Sequence, residues 1–254
     1  MMADSGRSLV LHCTGPETLM PGAVNPLLAP APGLAHLWFA TLDALRPRLA
    51  ELEALLDPVE QERAQRFRFD HDRTRFVLGH GWLRELLGQY LQRDAGLIRL
   101  ARGPYGKPYL ERKALRFNFS DTKDAIAIAF ATELEVGVDV ETIARAVDHQ
   151  AVSGHYFTDA ETEAIAAAGE HAKRRFLEFW TRKEAVLKAS GVGIMEDLRA
   201  LRVDRPRNAV LIAHEVFQQM AAPEYHVRTY HIGEGHIVSL ASPQEVAEVR
   251  LWGV

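Results

Sequence analysis

The segment Glu135-Val136-Gly137-Val138-Asp139-Val140-Glu141 places two carboxylates two positions apart between valines. Alternation of this kind has the period of a strand, so Val136, Val138 and Val140 share one face while Gly137, Asp139 and Glu141 share the other. Carboxylates that close repel unless a cation or a proton lies between them. With a glycine leaving room beside them, their oxygens suit Mg²⁺, which is held by one or two side chains together with substrate phosphates and water. The competing reading is a solvated strand face ending in a turn, because Asp and Glu are mostly exposed in any protein.

A second stretch carries charge where charge is costly. On the helix expected from about His171 to Ala189, Phe176, Phe179, Trp180, Val186 and Leu187 fall on one stripe, and Lys183 sits inside it. A free ammonium there must snorkel or find an acceptor. Glu184 and Lys188 lie four apart at the rim, either as an ordinary surface pair or as part of a helix that faces a charged cleft. Arg63, Arg66, Arg68, Arg73 and Arg75 cluster at the junction of two earlier helices, as solubilising charge or as an anion site. Lys107 stands at the tip of a stiff Gly103-Pro104-Tyr105-Gly106-Lys107-Pro108-Tyr109 loop. It is either simply exposed there or held against a phosphate at little entropic cost.

The elements that must position these groups follow from capping and periodicity. Asp57, Pro58 and Glu60 predict a capped helix start, and a longer helix is expected from about Asp72 to Leu91 with Phe76, Leu83, Leu86, Leu87 and Tyr90 inward. Strands are expected at Leu37–Ala40, Leu97–Leu100, Arg116–Phe119 and Ala125–Phe130, the last two and the acidic strand forming an antiparallel meander. Thr158 and Glu161 form a capping box for a helix to about Ala168, and Gly191 is the expected stop of the helix that carries Glu184. Further strands are expected at Leu201–Asp204, Ala209–Phe217, Tyr225–Ile232, His236–Ala241 and Val249–Trp252. The fold class is therefore α+β, as two similar lobes that each pair an antiparallel sheet with helices. The divisions are an irregular Pro- and Gly-rich extension over residues 1–33, an N-terminal lobe over 34–133 and a C-terminal lobe over 134–254.

Composition narrows the function classes. The chain has 254 residues, a formal net charge of −4 and a single cysteine. Such a charge gives no reason to expect a nucleic-acid partner, and one cysteine excludes an intrachain disulfide framework or Cys-rich zinc site and fits a reducing cytosol. No apolar run approaches membrane-spanning length and the N-terminus lacks a signal peptide's core, so a cytoplasmic location without membrane contact is expected. No P-loop, dinucleotide fingerprint or nucleophile elbow occurs.

The two chemical stretches together carry a resemblance. Gly137-Val138-Asp139-Val140-Glu141 and Trp180-Thr181-Arg182-Lys183-Glu184-Ala185-Val186-Leu187-Lys188 resemble the paired signature G-[IV]-D-[IV]-E and W-x-x-K-E-[AS]-x-x-K of the 4′-phosphopantetheinyl transferases, of the large single-chain type that activates surfactin synthetase. The segments Phe157–Glu161, Arg66–Phe69, Arg75–Gly79, Tyr105–Pro108 and Phe117–Ser120 extend the similarity over about residues 35 to 205. The resemblance implies a pseudo-twofold monomer with coenzyme A in the cleft between lobes and an apo acyl or peptidyl carrier protein as acceptor. Asp139, Glu141 and Glu184 would hold Mg²⁺, or Mn²⁺ in its place, with Lys188 on the phosphates and Lys183 facing the same cleft. Arg75, Lys107 and Ser120 would fall around the adenosine 3′-phosphate and its neighbours, and Arg63 lies where the family often has a lysine. One departure stands out. The family pattern has a histidine after Ser120 that touches phosphate, whereas this chain has Asp121, which would repel phosphate unless Lys123 substitutes. The rival readings are another Mg²⁺-dependent phosphate enzyme and a carrier-binding protein without catalysis.

Overall fold

A computed structural model describes residues 6–20, 29–111, 115–193, 195 and 197–253. In chain order the elements begin with β1 (Arg7–Leu19) and β2 (Leu34–Thr41), then the short helices α1 (Leu42–Leu45) and α2 (Leu49–Glu53). Helices α3 (Pro58–Gln65) and α4 (Asp70–Leu91) precede β3 (Leu100–Arg102), β4 (Pro108–Leu110), β5 (Leu115–Asp121), β6 (Ala125–Thr132) and β7 (Gly137–Thr142). The second half holds α5 (His149–Tyr156), α6 (Asp159–Ala167), α7 (Ala172–Ser190), β8 (Arg207–Ile212), α8 (Glu215–Met220), β9 (Glu224–Ile232), β10 (His236–Ser242) and β11 (Glu248–Gly253).

Two sheets stack between two long helices. One sheet has the order β7-β10-β9-β1-β8, the other β11-β2-β6-β5, and β3-β4 form a small hairpin. The alternation in β6 explains the stacking. Ala125, Ala127, Ala129 and Ala131 face the other sheet and meet Val136, Val138, Val140, Val238 and Leu240, while Ile126, Ile128 and Phe130 face α4. Small side chains on one face let the sheets approach, and large ones on the other fill the space under the helix. A matching core lies beneath α7, with Phe176, Phe179, Val186 and Leu187 against Leu9, Leu11, Val227 and Ile237. The α+β class with two helix-backed, mostly antiparallel sheets is the architecture expected.

Several local expectations hold for identifiable reasons. The Asp57/Glu60 and Thr158/Glu161 capping boxes form, and Gly191 ends α7 at φ +77, a left-handed conformation that suits glycine. Others do not. Residues 7–19 are a strand, pairing antiparallel with β8 and parallel with β9; residues 1–5 and 21–28 of the expected extension lie outside the described residues. At the other end β11 crosses to the N-terminal lobe and pairs parallel with β2, so the division at 133/134 does not follow the sheets. The expected meander also breaks, because β7 leaves β6 and pairs with β10 in the other sheet. Leu97 lies in a 3₁₀ turn, Leu201–Asp204 is irregular, and the segment read as one strand from Ala209 to Phe217 divides into β8 and α8.

Candidate functional site

The site grows from one edge of one strand. Because β7 ends its sheet, the amides of Val138 and Val140 would lack partners, and a buried backbone donor needs one. Two side chains of β5 supply them: Asn118 Oδ1 accepts from Val138 N at 2.8 Å and Ser120 Oγ accepts from Val140 N at 3.3 Å. The seam between the sheets is thus sewn at the position where Asp139 and Glu141 stand. The opposite face of β7 is not solvated. Helix α7 lies so close that a Cβ on Gly137 would come 2.1 Å from Ala185 O and 2.3 Å from Ala189 N. Asp139 and Glu141 are consequently 6% and 7% exposed, which removes the solvated-face reading.

Ser120 Oγ donates to Asp139 Oδ1 at 2.9 Å, and Lys188 Nζ donates to that oxygen at 2.6 Å and to Ser120 Oγ at 2.7 Å. The other oxygen, Asp139 Oδ2, is buried without a hydrogen-bond partner. Glu141 pairs with Arg145 and accepts from Thr122 Oγ1 at 3.4 Å. Burial and the Asp139 charge push Glu141 up to about 7 against the pull of Arg145, and the same two causes push Glu184 up to about 7 against Lys188 and Arg145. These raised values mark carboxylates that burial, and secondarily the Asp139 charge, make costly to ionise without a further counter-charge. An orphaned carboxylate oxygen flanked by two such glutamates is a donor set that fits a hard divalent cation. The three carboxylates do not bring one oxygen each within 4.8 Å of the others; Lys188 and Arg145 are the positive groups that hold two of them.

The remaining expected residues separate into three places. Lys107 Nζ reaches Glu135 Oε2 and Val136 O at 3.1 Å and Ala189 O at 3.3 Å, so the loop lysine is tied down at the lobe seam, just before the acidic strand. It lines a cavity of about 450 Å³ with Arg102, Tyr109, Arg116, Ser190 and Tyr225. Arg102 was not singled out from the sequence, although its place at the foot of the Gly-Pro loop was a usable signal. Arg75 lines a different cavity, of about 370 Å³, with Arg46, His71, Thr74 and Lys123. Arg75 and Lys107, expected around the adenosine 3′-phosphate and its neighbours, thus line two separate cavities. Asp121, the departure from the family pattern, accepts from Arg75 Nε at 2.8 Å, while Asp72 meets the same guanidinium at 3.0 Å.

Arg63 stacks over Phe76 at 5.0 Å, Arg66 pairs with Glu62 and Arg73 with Glu53, so the arginine cluster disperses into local contacts. Lys183 does not face the cleft. It is fully buried in the C-terminal lobe, where Glu161 Oε2 at 2.9 Å and the carbonyls of Tyr156 and Leu198 at 3.0 Å take its three protons. An ammonium inside an apolar stripe found an acceptor by turning away from the cleft, because a neighbouring helix cap supplied a carboxylate.

Residues 135–241 match the 4′-phosphopantetheinyl transferase superfamily and residues 43–133 match the family described as 4′-phosphopantetheinyl transferase, N-terminal. The chain is 34% identical over 164 residues to the 4′-phosphopantetheinyl transferase HetI of Nostoc sp., covering 63% of this chain and 69% of that protein. It is 33% identical to a phosphopantetheinyl transferase of Thraustochytrium sp. (61% of this chain, 58% of that protein). It is 28% identical to the L-aminoadipate-semialdehyde dehydrogenase-phosphopantetheinyl transferase of Rattus norvegicus (59% and 52%). The chain belongs to the 4′-phosphopantetheinyl transferase superfamily.

Proposed function

We propose that this chain transfers the 4′-phosphopantetheine arm of coenzyme A to a serine hydroxyl of an apo acyl or peptidyl carrier protein. Asp139, Glu141 and Glu184 would hold Mg²⁺, or Mn²⁺ in its place, and adenosine 3′,5′-bisphosphate would be released. The observation that carries the reading is Asp139: buried, held through one oxygen by Lys188 and Ser120, and orphaned at the other. When bound, the cation would neutralise pyrophosphate charge. The chain's own residues account for the rest. Phosphoryl transfer asks a protein for charge and positioning more than for a nucleophile. Lys188 is placed to meet a phosphate oxygen by exchanging its contact with Asp139. Glu184, held near 7 by burial and Asp139, is suited to take the serine proton directly or through a water as the serine oxygen bonds to the β-phosphorus and the bridging P–O bond breaks.

The two basic cavities extend the reading. Lys107 and Arg102 in one, and Arg75 and Lys123 in the other, are suited to the adenosine 3′-phosphate and the pyrophosphate, while Arg63 on α3, stacked over Phe76, remains a candidate contact. Asp121 serves in this reading to aim Arg75 rather than to touch phosphate. Both lobes lie in one chain, which supports a monomer. No described helix is long and apolar enough to cross a membrane, and carrier proteins and coenzyme A are cytoplasmic substrates, so we place the activity there. The paired motifs favour the surfactin-synthetase-activating type. The test is intact-mass analysis of a panel of apo carriers incubated with the protein, coenzyme A and Mg²⁺. A gain of one phosphopantetheine arm that EDTA and Asp139→Ala both abolish is expected. Carrier binding without mass gain would overturn catalysis in favour of a scaffold role.

A further inference from the structure

Away from the carboxylates, β1 and β9 run parallel with His12 directly opposite His226 and Val10 opposite Glu224. Alternation fixes which face each side chain takes. Leu9, Leu11, Cys13, Tyr225 and Val227 go into the core beneath α7, so His12, Glu224 and His226 emerge together on the other face. One ligand atom from each lies within 4.8 Å of the other two, and among the described residues no other group of three His, Cys, Asp or Glu meets that spacing. The imidazoles stack at 4.7 Å with planes 10° apart, and His12 Nε2 is 3.6 Å from Glu224 Oε2. That separation exceeds a hydrogen bond. Three good donors thus converge without satisfying one another.

We propose that His12, Glu224 and His226 form a transition-metal site of the Zn²⁺ class that clamps β1 to β9. Ligand atoms around a tetrahedral Zn²⁺ with bonds of about 2.1 Å lie about 3.4 Å apart. His12 and Glu224 are already near that spacing, and side-chain rotation alone closes the rest because the backbone is fixed by the ladder. Two imidazoles and one carboxylate leave a fourth position for water and disfavour Mg²⁺, which requires oxygen ligands in octahedral array. Arg207, opposite His12 on β8, adds positive charge nearby and weakens but does not block the site. The site is separate from the carboxylate centre on β7: Glu224 and His226 fall within the matched segment 135–241, but β1, which supplies His12, lies outside both matched segments.

The test titrates Zn²⁺ into tag-free full-length protein by calorimetry in excess Mg²⁺, which on the proposed function would occupy the carboxylate centre. One equivalent of Zn²⁺ is expected for the wild type, with a raised melting temperature. His12→Gln/His226→Gln should bind it more weakly by at least the ~100-fold that even outer-shell changes can cost. Exposed Glu224→Gln, which leaves both histidines and the fold intact, should weaken binding by a smaller factor. Co²⁺ substituted into the wild type should give a visible four-coordinate absorption band that the double variant lacks. Unchanged stoichiometry and affinity in the variants, no Zn²⁺ uptake by the wild type, or Zn²⁺ fully displaced by Mg²⁺ would each overturn the proposal.

Discussion

Lys183 and Lys188 lie on one helix in one motif, yet they do different things. Lys188 meets Asp139 at the seam, whereas Lys183 is spent inside the lobe on Glu161, which also caps α6 and accepts from Val203 N at 2.9 Å. Removing one partner of a buried pair leaves the other charge stranded, so Lys183→Met should cost on the order of 3–5 kcal/mol. The folded fraction should keep its coenzyme A affinity, as urea denaturation and calorimetry together would read. A large loss of affinity with unchanged stability would return Lys183 to the cleft. Glu184→Gln should do the reverse, lowering turnover ~100-fold or more, in the range of lost acid–base catalysis, and reducing coenzyme A affinity far less. Equal losses in both would count against a base role. At this scale the sequence displayed Asp139 and Glu141 openly, because i and i+2 on a strand are neighbours by geometry. It could not display the Lys183–Glu161 pair or the Arg75–Asp121 pair, whose partners lie 22 and 46 residues apart and meet only through packing.

Element by element, what was legible was local. Capping boxes and the Gly191 stop are chemistry within a few residues, and they appear where the sequence put them. The choice of sheet for β7 depends on edge partners from β5 and β10 that no period reveals. Gly137 shows why the choice is strict. Its missing Cβ lets α7 rest on backbone, so Gly137→Ala must push the helix away or distort the strand. The expected cost is about 1–3 kcal/mol or more, as for overpacking elsewhere, with a matching loss of activity because Asp139 and Glu184 separate. Activity and urea midpoint both unchanged would disprove that contact.

On the other sheet His36 Nδ1 and Tyr90 OH share a hydrogen bond at 2.7 Å, and Trp38 Nε1 donates to the same hydroxyl at 2.8 Å, tying β2 to α4. Burial, and secondarily Arg250, lowers His36 from 6.5 to about 4. A lowered histidine favours the neutral form in the fold. Its contribution is therefore complete above pH 6.5 and is lost as pH falls towards 4, on the order of 3 kcal/mol by linkage. His36→Gln should flatten the decline in melting temperature over that window, and an unchanged slope would assign the acid sensitivity elsewhere.

For the molecule as a whole, the exchange of terminal strands decides how it unfolds. The first strand completes the second lobe's sheet, and the last strand completes the first lobe's. Arg182 on α7 donates to Gly15 O at 3.1 Å and to Thr229 Oγ1 at 2.9 Å, while Trp252 on β11 packs 6.3 Å from Trp38. The inter-sheet core then joins Leu251, Phe39 and Ala127 to Val138 and Leu240. With no lobe holding all its own strands, neither can open while the other stays whole. Leu251→Ala removes a side chain from that shared core and should cost about 2–5 kcal/mol. The consequence specific to this topology is that the loss should not be confined to the sheet containing β11. Urea unfolding followed by hydrogen exchange at β6 amides and at β10 amides should give one midpoint in the wild type and one shared, lower midpoint in Leu251→Ala. If β6 exchanged at a lower midpoint while β10 kept its original one, the lobes would be independent folding units and the crossed strands mere decoration.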